Sequence, residues 1–234
     1  MQLFFAPDID NDEVELSGDE ARHCLRALRL SVGDELFLTD GAGSLCRARL
    51  VSVGKADCLA HIVERLPDPH PRSHYLHLAI APTKNADRIE WLVEKATELG
   101  IDRISLISSQ FTERQHINFD RLSKLAVSAM KQSLQTRLPL IDGLLPVSQL
   151  FTEPFSGSRL VCHCLPDVPR LPLSQVVSPA SRVQLFIGPE GDFSPDEVAL
   201  ALDNGFQSVS LGSNRLRTET AALAVVSFVN MLNA

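Results

Sequence analysis

The chain has 234 residues, of which 44% are hydrophobic and 22% charged, and its formal net charge at pH 7 is −7. These values are typical of a globular protein with room for two small domains or one large one. No apolar run approaches the length of a membrane span, and the N-terminus lacks the basic start of a signal peptide, so a cytoplasmic protein without membrane contact is expected. The acidic balance does not predict nucleic-acid binding, which favours a basic surface.

The sequence pattern of residues 1–70 predicts a separate β-rich module. The predicted strands of this module are residues 2–6, 34–40, 44–53 and 57–66, and the acidic segment after the first of them is expected to be a solvated loop. Ser17 and Glu20 have the spacing of a capping box that opens a helix. The module is therefore expected to combine one helix with a strand meander.

Three arginines follow that helix start. Arg22, Arg26 and Arg29 stand at i, i+4 and i+7, which predicts that they share one helical face. The residues alone leave two interpretations open. The face is either a solvated surface that offsets the nearby acids or a contact for RNA phosphates.

A proline-rich segment, Pro67 to Pro71, is the best candidate for a linker, and it places the domain boundary between residues 70 and 71. From Tyr75 onward strands and helices alternate, which indicates a mostly parallel sheet covered by helices. Residues 87–99 and 120–134 are predicted helices, and Gly100 is a natural terminator of the first. The first helix is expected to bury Ile89, Leu92, Val93, Ala96 and Leu99, and the second Leu122, Leu125, Ala126, Ala129 and Met130.

The five cysteines are odd in number and scattered, which suits reduced thiols better than a disulfide framework. Cys162, His163 and Cys164 stand together in a predicted strand. Alternation in a strand would put both sulfurs on one face and the imidazole on the other, and no second pair of ligands follows. No metal site is expected.

The segment from Val183 to Asn233 carries the most unusual pattern. Two apolar runs each end at a glycine and a polar loop that leads into a helix, and such units place ligands at the carboxyl ends of strands. After the first loop, Ser194, Pro195 and Glu197 predict a capping box with proline at the first helical position. Neither loop matches a dinucleotide or P-loop fingerprint, so the pattern alone leaves a ligand site and plain glycine-containing connections equally open.

The motifs of these loops, IGPEGDFSPDEV and LGSNRLRTETAALAVVSF, closely resemble the RsmE family of SPOUT-type methyltransferases. The resemblance extends to APTKNADRIEWLVEKATELGIDRI, to MKQSLQTRLP and to RHCLRALRLSVGDELFLTDGAG, and therefore to most of the chain. It implies a parallel sheet in residues 71–234 with a deep trefoil knot at about 160–234, and a small PUA-like RNA-binding β-barrel in residues 1–70. The residues alone predict only an open Rossmann-like sheet.

The resemblance also implies the chemistry, which is methylation of N3 of a uridine in 16S ribosomal RNA of the 30S subunit by a homodimer that uses S-adenosyl-L-methionine. The implied cofactor-binding residues are Leu165, Pro166, Gly188, Pro189, Glu190, Gly191, Leu211, Gly212, Leu216 and Ala221. Arg22, Arg26, Arg29, Lys84 and Arg215 are implied RNA contacts, Arg215 through a phosphate. Lys84, Arg88 and Gln132 lie in other matched segments, and for these three an RNA contact and a solvated polar side chain are equally open.

Arg217 is the implied catalytic cation, because a positive charge beside the uracil oxygens would stabilise the anion that forms when N3 loses its proton. Glu219 either relays that proton or only favours the N-terminus of the following helix. Glu190 either holds the ribose or accepts a hydrogen bond within its loop. The alternatives to this function are a SPOUT methyltransferase for another RNA base and a non-catalytic RNA-binding protein; a nucleotide-dependent oxidoreductase ranks last because the glycine fingerprint is absent.

Overall fold

The computed structural model describes residues 2–234, which divide into two compact units. The first unit runs to Pro71 and includes the segment Val127–Leu138, and the second comprises Arg72–Ala126 and Pro139–Ala234. None of the helices within the described residues has the length and apolar character needed to cross a membrane. Each unit is described separately below.

The first unit is built on a five-stranded sheet in the order β1-β3-β4-β5-β2, in which β1 and β3 are parallel and the other neighbours antiparallel. Its strands are β1 (Leu3–Phe5), β2 (Glu13–Leu16), β3 (Glu35–Thr39), β4 (Leu45–Val53) and β5 (Cys58–Leu66). A short helix, α1 (Gly18–Arg22), continues as a π-helical turn, His23–Ala27. One buried cluster of inward-facing side chains, including Phe4, Leu36 and Leu50, forms the core.

Two predictions for this unit are wrong. The acidic segment contains strand β2, whose Val14 and Leu16 alternate with exposed glutamates and so carry the period of a half-buried strand. Ser17 is the residue before α1, but its side chain makes no capping hydrogen bond. The carboxylate of Glu20 instead accepts hydrogen bonds from the Phe5 amide at 3.3 Å and from Lys131 Nζ at 2.5 Å, because these donors compete with the helix start.

The predicted helical face of arginines does not form in the expected way. The α-helix ends at Arg22, and a wider π-helical turn follows, so the i, i+4, i+7 spacing no longer describes neighbours. Arg29 lies beyond the turn with φ of 56°, in the left-handed region that a non-glycine residue rarely adopts. The three arginines nevertheless share one concave surface, described with the candidate site.

The second unit is a seven-stranded, wholly parallel sheet in the order β10-β12-β9-β11-β6-β7-β8. Its strands are β6 (Tyr75–Ile80), β7 (Arg103–Ser108), β8 (Leu140–Pro146), β9 (Ser158–Cys162), β10 (Leu171–Pro172), β11 (Arg182–Ile187) and β12 (Gln207–Ser210). Its helices are α2 (Ala86–Leu99), α3 (Phe119–Gln132, whose last turns belong to the first unit), α4 (Val147–Thr152), α5 (Leu173–Val176), α6 (Pro195–Asp203) and α7 (Thr218–Leu232). The predicted parallel α/β architecture is confirmed.

The helix predictions hold with small corrections. Helix α2 starts after Asn85, whose side chain accepts a hydrogen bond from the Asp87 amide, and ends before Gly100, which has φ of 95°. Of its expected apolar face, Leu99 is the exception, since 40% of it is exposed. In α3, Leu125 is only half-buried, while the other four predicted residues are buried. Strand β9 ends at Cys162, so His163 and Cys164 follow the strand instead of continuing its alternation.

A line of buried polar side chains crosses the central strands of this sheet. Gln184 Nε2 lies 3.1 Å from His77 Nδ1, and His77 Nε2 lies 2.6 Å from Ser105 Oγ. Ser105 donates in turn to Asp142, which also accepts from Arg103 Nε at 2.6 Å. This order of donors fixes His77 as the neutral tautomer that is protonated on Nε2. Burial lowers the pKa of His77 from 6.5 to about 4.

Candidate active site

Three loops meet at the carboxyl ends of neighbouring strands in the second unit. Strands β12, β9 and β11 are adjacent in the sheet, and the loops after them begin at residues 211, 163 and 188. Because parallel strands all end at the same edge, the loops surround one space, as ligand sites in open α/β sheets do. The position agrees with the two-loop pattern in the sequence, and the loop after β9 is the one in which the resemblance places Leu165 and Pro166.

The loops enclose a cavity of about 890 Å³, which lies within the range of small-molecule sites. Its walls combine apolar side chains with the backbone of two glycine-containing loops. The lining residues are Cys162, His163, Cys164, Arg170, Ile187, Gly188, Pro189, Glu190, Asp192, Val209, Ser210, Leu211, Gly212, Ser213, Asn214, Arg215, Leu216, Arg217, Thr218 and Ala221.

The loop after β11 is held in shape by its own backbone and by Asp192. A Cβ atom on Gly188 would lie 3.1 Å from the backbone of Asp192 and Phe193, so the turn requires the close approach that glycine allows. Asp192 has φ of 69°, and its carboxylate accepts hydrogen bonds from the Phe193 amide at 2.8 Å and the Cys164 amide at 2.6 Å. Asp192 therefore ties the loop after β11 to the loop after β9 across the cavity wall.

The helix after this loop begins as the sequence predicts. Ser194 accepts from the Glu197 amide and Glu197 accepts from the Ser194 amide, which completes the capping box, and Pro195 occupies the first turn. The second oxygen of Glu197 accepts from the Gln110 amide at 2.8 Å. This one side chain therefore satisfies donors at the start of α6 and in the β7–α3 loop.

Glu190 connects the cavity to the β6–α2 loop. Its Oε1 accepts a hydrogen bond from the Lys84 amide at 3.1 Å, while Lys84 Nζ pairs with Glu113 at 2.8 Å. Of the two roles expected for Glu190, acceptance of a loop hydrogen bond is the one that this contact fills. Glu190 and Lys84 are both exposed, so this part of the site is polar and open to solvent, unlike the apolar wall of the cavity.

The loop after β12 brings two arginines to the cavity. Arg215 and Arg217 are exposed and line it, and within residues 2–234 neither guanidinium has a carboxylate within 4.0 Å. Helix α7 begins directly after Arg217, and the Thr218 hydroxyl donates to the Gly188 carbonyl at 3.2 Å. The start of α7 is therefore fastened to the loop after β11, and its positive end faces the cavity.

Glu219 lies outside the cavity lining. Its side chain is 9% exposed and does not line the cavity, and its Oε1 lies 3.6 Å from Arg88 Nε of α2. The other carboxylate oxygen, Oε2, is buried and has no hydrogen-bond partner among the described residues. The carboxylate thus stands within the first turn of α7, where a negative charge stabilises the helix N-terminus.

His163 is a packed side chain of the cavity wall. Its Nε2 lies 2.9 Å from Ser208 Oγ and its Nδ1 accepts from the Leu165 amide at 3.2 Å, so both ring nitrogens are engaged. Burial lowers the pKa of His163 and raises that of Cys162 to about 12, which keeps both groups neutral. The described residues contain no group of three or more His, Cys, Asp or Glu side chains that could hold a metal ion.

Most of the cofactor residues expected from the resemblance lie together. Gly188, Pro189, Glu190, Leu211, Gly212, Leu216 and Ala221 line the cavity with Arg215 and Arg217, whereas Leu165, Pro166 and Gly191 stand outside its lining. The loop after β9 contributes the residues just before Leu165 and, further on, Arg170, whose guanidinium donates to the His163 carbonyl at 2.8 Å. Sequence reasoning missed Asp192, although an Asp in a Gly-Asp pair is a frequent occupant of left-handed backbone.

In the first unit, the predicted RNA-contacting arginines line a separate hollow of about 320 Å³. Arg22, Arg26 and Arg29 share it with Lys55, which lies in the turn between β4 and β5. Arg22 pairs with Asp19, but for the other three cations no carboxylate of the described chain lies within ion-pair distance. Lys55 is a cation that the helical spacing did not predict, because it lies on a different element.

The family model for an RNA methyltransferase domain matches residues 70–230, and that for an RNA methyltransferase PUA domain matches residues 16–63. The ribosomal RNA small subunit methyltransferase E of Rickettsia conorii is 31% identical over 229 residues, 96% of this chain and 92% of the relative. A probable rRNA-methyltransferase structure from Porphyromonas gingivalis has 40% identity and a TM-score of 0.92, covering 100% of this chain and 98% of that one.

A ribosomal RNA small subunit methyltransferase E structure from Neisseria gonorrhoeae, bound to S-adenosyl methionine, has 25% identity and a TM-score of 0.86 and covers 100% of this chain and 98% of that one. The two family models together span most of the chain, in the order of the two sheets described above. The chain, whose cavity lies at the ends of the neighbouring strands β9, β11 and β12, therefore belongs to the RNA methyltransferase family that contains the small-subunit methyltransferases E.

Proposed function

We propose that this protein transfers a methyl group from S-adenosyl-L-methionine to N3 of a uridine in 16S ribosomal RNA of the 30S subunit. The observation that carries the proposal is the three-loop cavity, in which Arg215 and Arg217 stand without carboxylate partners beside the glycine loops. The relatives named for methylation of small-subunit ribosomal RNA support the same substrate class.

The cavity has the character that this cofactor needs. Ile187, Pro189, Val209 and Leu216 offer apolar walls to a flat, neutral adenine, and the backbone of Gly188 to Glu190 and of Leu211 to Gly212 offers hydrogen-bonding groups. Leu165, Pro166 and Gly191 would contribute only through loop shape, since they stand outside the lining. When bound, the cofactor supplies an electrophilic methyl group; the chain's residues orient the acceptor and exclude water.

Arg217 is the proposed catalytic cation. Loss of the N3 proton places negative charge on the uracil oxygens, and a guanidinium without a carboxylate partner stabilises that charge best. Its backbone lies just before α7, so the helix N-terminus adds positive potential at the same place. Arg215, two residues earlier, is the proposed phosphate contact.

Glu219 is the second residue expected in catalysis, and its burial against Arg88 favours the supporting role. A carboxylate that is 9% exposed and outside the cavity lining is poorly placed to accept a proton from substrate. In the first turn of α7 its charge stabilises the helix that positions Arg217. We therefore propose that Glu219 acts on the reaction through this helix start.

The first unit is proposed as a PUA-like, barrel-type RNA-binding domain of residues 1–70, joined to a SPOUT methyltransferase domain of residues 71–234. The hollow formed by Arg22, Arg26, Arg29 and Lys55 supports RNA contact there, and the exposure of Lys84 near Glu190 supports a contact at the second domain. The work of such a protein on ribosomal RNA supports a cytoplasmic location.

A trefoil knot and a homodimer complete the proposal for the second domain. Helix α7 packs on β6, β11 and α2, whereas the strand before it, β12, pairs with β9 on the other side of β11. The chain must therefore cross the ends of β9 and β11, which supports threading of the C-terminal segment. On the outer side of α7, Met231 is 78% exposed and Ala224 is exposed, which supports a second copy of the chain as the cover.

The test is methyl transfer from labelled S-adenosyl-L-methionine to 30S particles that lack N3-methyluridine, followed by digestion of the RNA to locate the label. We expect label on N3 of one uridine, and for Arg217→Ala a fall in kcat of about 10²-fold or more with cofactor affinity retained. Arg182→Ala is the matched control. Arg182 is an exposed arginine at the first residue of β11, the opposite end of that strand from Gly188.

Three outcomes would contradict parts of the proposal. Label on another base would leave the methyltransferase and change its substrate. Cofactor binding without transfer to any RNA would favour a non-catalytic RNA-binding protein. Near-normal turnover by Arg217→Ala would remove Arg217 from catalysis, and comparison with Arg215→Ala would then show which arginine acts.

A further inference from the structure

An exposed aromatic side chain stands beside the cavity on the outer side of the loop after β11. Phe111, in the loop between β7 and α3, is 44% exposed. It lies directly against Gly191, where an added Cβ atom would come within 2.9 Å of the Phe111 Cβ and 3.4 Å of its Cγ. Glu190 and Asp192, on either side of Gly191, line the cavity, so only one backbone segment separates Phe111 from it.

The loop that carries Phe111 is held by several hydrogen bonds. The Thr112 amide donates to the Ser109 carbonyl at 3.1 Å, and the Ser109 amide donates to Thr112 Oγ1 at 2.9 Å. The Gln110 amide donates to Glu197 Oε1 at 2.8 Å. Because these hydrogen bonds fix the backbone on both sides of Phe111, its exposed ring is carried by a well-held loop. A preorganised aromatic surface loses little entropy when a partner stacks on it.

Arg114 lies three residues after Phe111 in the same loop. Arg114 donates to the Lys84 carbonyl at 2.9 Å and to the His116 carbonyl at 3.2 Å, and within residues 2–234 it has no carboxylate within 4.0 Å. The Lys84 amide is bonded to Glu190, which connects the same group of loops to the cavity. The loop that carries Phe111 therefore also carries an arginine that is held in place by carbonyls and has no carboxylate partner among the described residues.

We propose that Phe111 is a stacking platform for a nucleobase of the RNA substrate, with Arg114 contacting the adjoining phosphate. The proposal rests on the function proposed above and names how the substrate strand is held at the cavity. An aromatic ring that stacks on the face of a base and a nearby cation that meets the backbone are the two elements of single-strand recognition. An apolar protein partner would have no use for the unpaired guanidinium.

The requirement for glycine at position 191 follows from the same contact. Any side chain there would displace Phe111 from the backbone on which it rests. Gly191 stands outside the cavity lining, and beside its expected part in cofactor binding we assign it a part in positioning Phe111. The loop after β11 thus serves the cofactor on its inner side and the RNA on its outer side.

The test compares Phe111→Ala, Phe111→Trp and the control Leu202→Ala, which truncates an exposed apolar residue of α6. Binding of a short fluorescein-labelled single-stranded RNA with a central uridine is measured by anisotropy, and the KM values for 30S particles and for S-adenosyl-L-methionine by methyl transfer. We expect Phe111→Ala to weaken RNA binding and raise the KM for 30S particles about tenfold, with the KM for the cofactor unchanged. Phe111→Trp should restore both, and the control should match the wild type.

Abasic substitution locates the stacked base. Removing the base that stacks on Phe111 should weaken binding to the wild type and leave binding to Phe111→Ala unchanged, because the ring and the base form a single interaction. Equal RNA binding by Phe111→Ala and wild type would overturn the proposal. So would a change in sedimentation that shows Phe111→Ala to disrupt contact with a second copy. A wild type that binds RNA without methylating it would refute the proposed function alone, since the binding comparison needs no turnover.

Discussion

Asp192 is the residue whose removal should most clearly separate loop positioning from direct cofactor contact. Its carboxylate accepts the Cys164 amide at 2.6 Å and the Phe193 amide at 2.8 Å, and it thereby joins two of the three loops around the cavity. Hydrogen bonds to a charged acceptor contribute about 1.5–3 kcal/mol each when desolvated. Since Asp192 is half-buried, a total of about 1–2 kcal/mol is the appropriate expectation for both together.

Asp192→Ala should therefore weaken S-adenosyl-L-methionine binding about 5- to 30-fold, as measured by isothermal titration calorimetry. It also places a Cβ-bearing residue without a polar side chain at φ of 69°, which costs about 1 kcal/mol relative to glycine. Asp192→Gly removes the same two hydrogen bonds but relieves the backbone. If the bridge between the loops matters, both variants should bind weakly, and only Asp192→Ala should show the further loss of stability in urea unfolding.

Asp192→Asn refines the comparison. Asparagine tolerates left-handed backbone, but its single carbonyl oxygen accepts in place of two carboxylate oxygens, so an intermediate affinity is expected. The reasoning is refuted if Asp192→Gly binds the cofactor as tightly as the wild type, because loop bridging would then contribute nothing. A fall in kcat at saturating cofactor, with affinity unchanged, would instead assign Asp192 to the reacting groups.

Two further predictions concern stability. Glu197→Ala should lower the free energy of unfolding in urea by about 1–2 kcal/mol, because it removes the capping box of α6 and the acceptor for Gln110, while Asp196→Ala in the same turn should have little effect. His77 should make stability fall as pH falls from 6.5 towards 4. In this range the unfolded chain binds a proton at His77, whereas the folded chain does not, because its His77 pKa is lowered to about 4. The free energy of unfolding should therefore fall by about 1.4 kcal/mol per pH unit. In urea titrations at several pH values, His77→Gln should show a weaker dependence of stability on pH.

The parts of the site that the sequence predicts best are those with local causes. The capping box at Ser194 and Glu197 and the proline between them lie within four residues, so their pattern decides the start of α6 without help from the rest of the fold. The cavity at the strand ends follows from the same logic, since parallel strands deliver their loops to one edge. The capping box is confirmed and the loops do meet at one edge of the sheet, while binding of a ligand there stays a prediction.

The errors arise where a distant partner changes the local outcome. Ser17 and Glu20 have capping spacing, but Glu20 is occupied by Phe5 and Lys131, which lie 15 and 111 residues away. The bond between Asp192 and Cys164 spans 28 residues and could not be read from either loop. A strand with a clear alternation, β2, was nevertheless missed because its acidic composition resembled a solvated loop.

The charge of the whole chain also proves a poor guide to the site. A net charge of −7 argues against RNA binding, yet the cavity lining holds Arg170, Arg215 and Arg217 against two carboxylates, Glu190 and Asp192. Both carboxylates already accept backbone hydrogen bonds, and Arg215 and Arg217 have no carboxylate partner among the described residues. At physiological salt, charges farther away than about 8 Å are largely screened, so a bound nucleotide meets this local excess of cations and not the acidic remainder. An acidic protein can therefore still present a locally cationic site to RNA, which is what the roles proposed for Arg215 and Arg217 require.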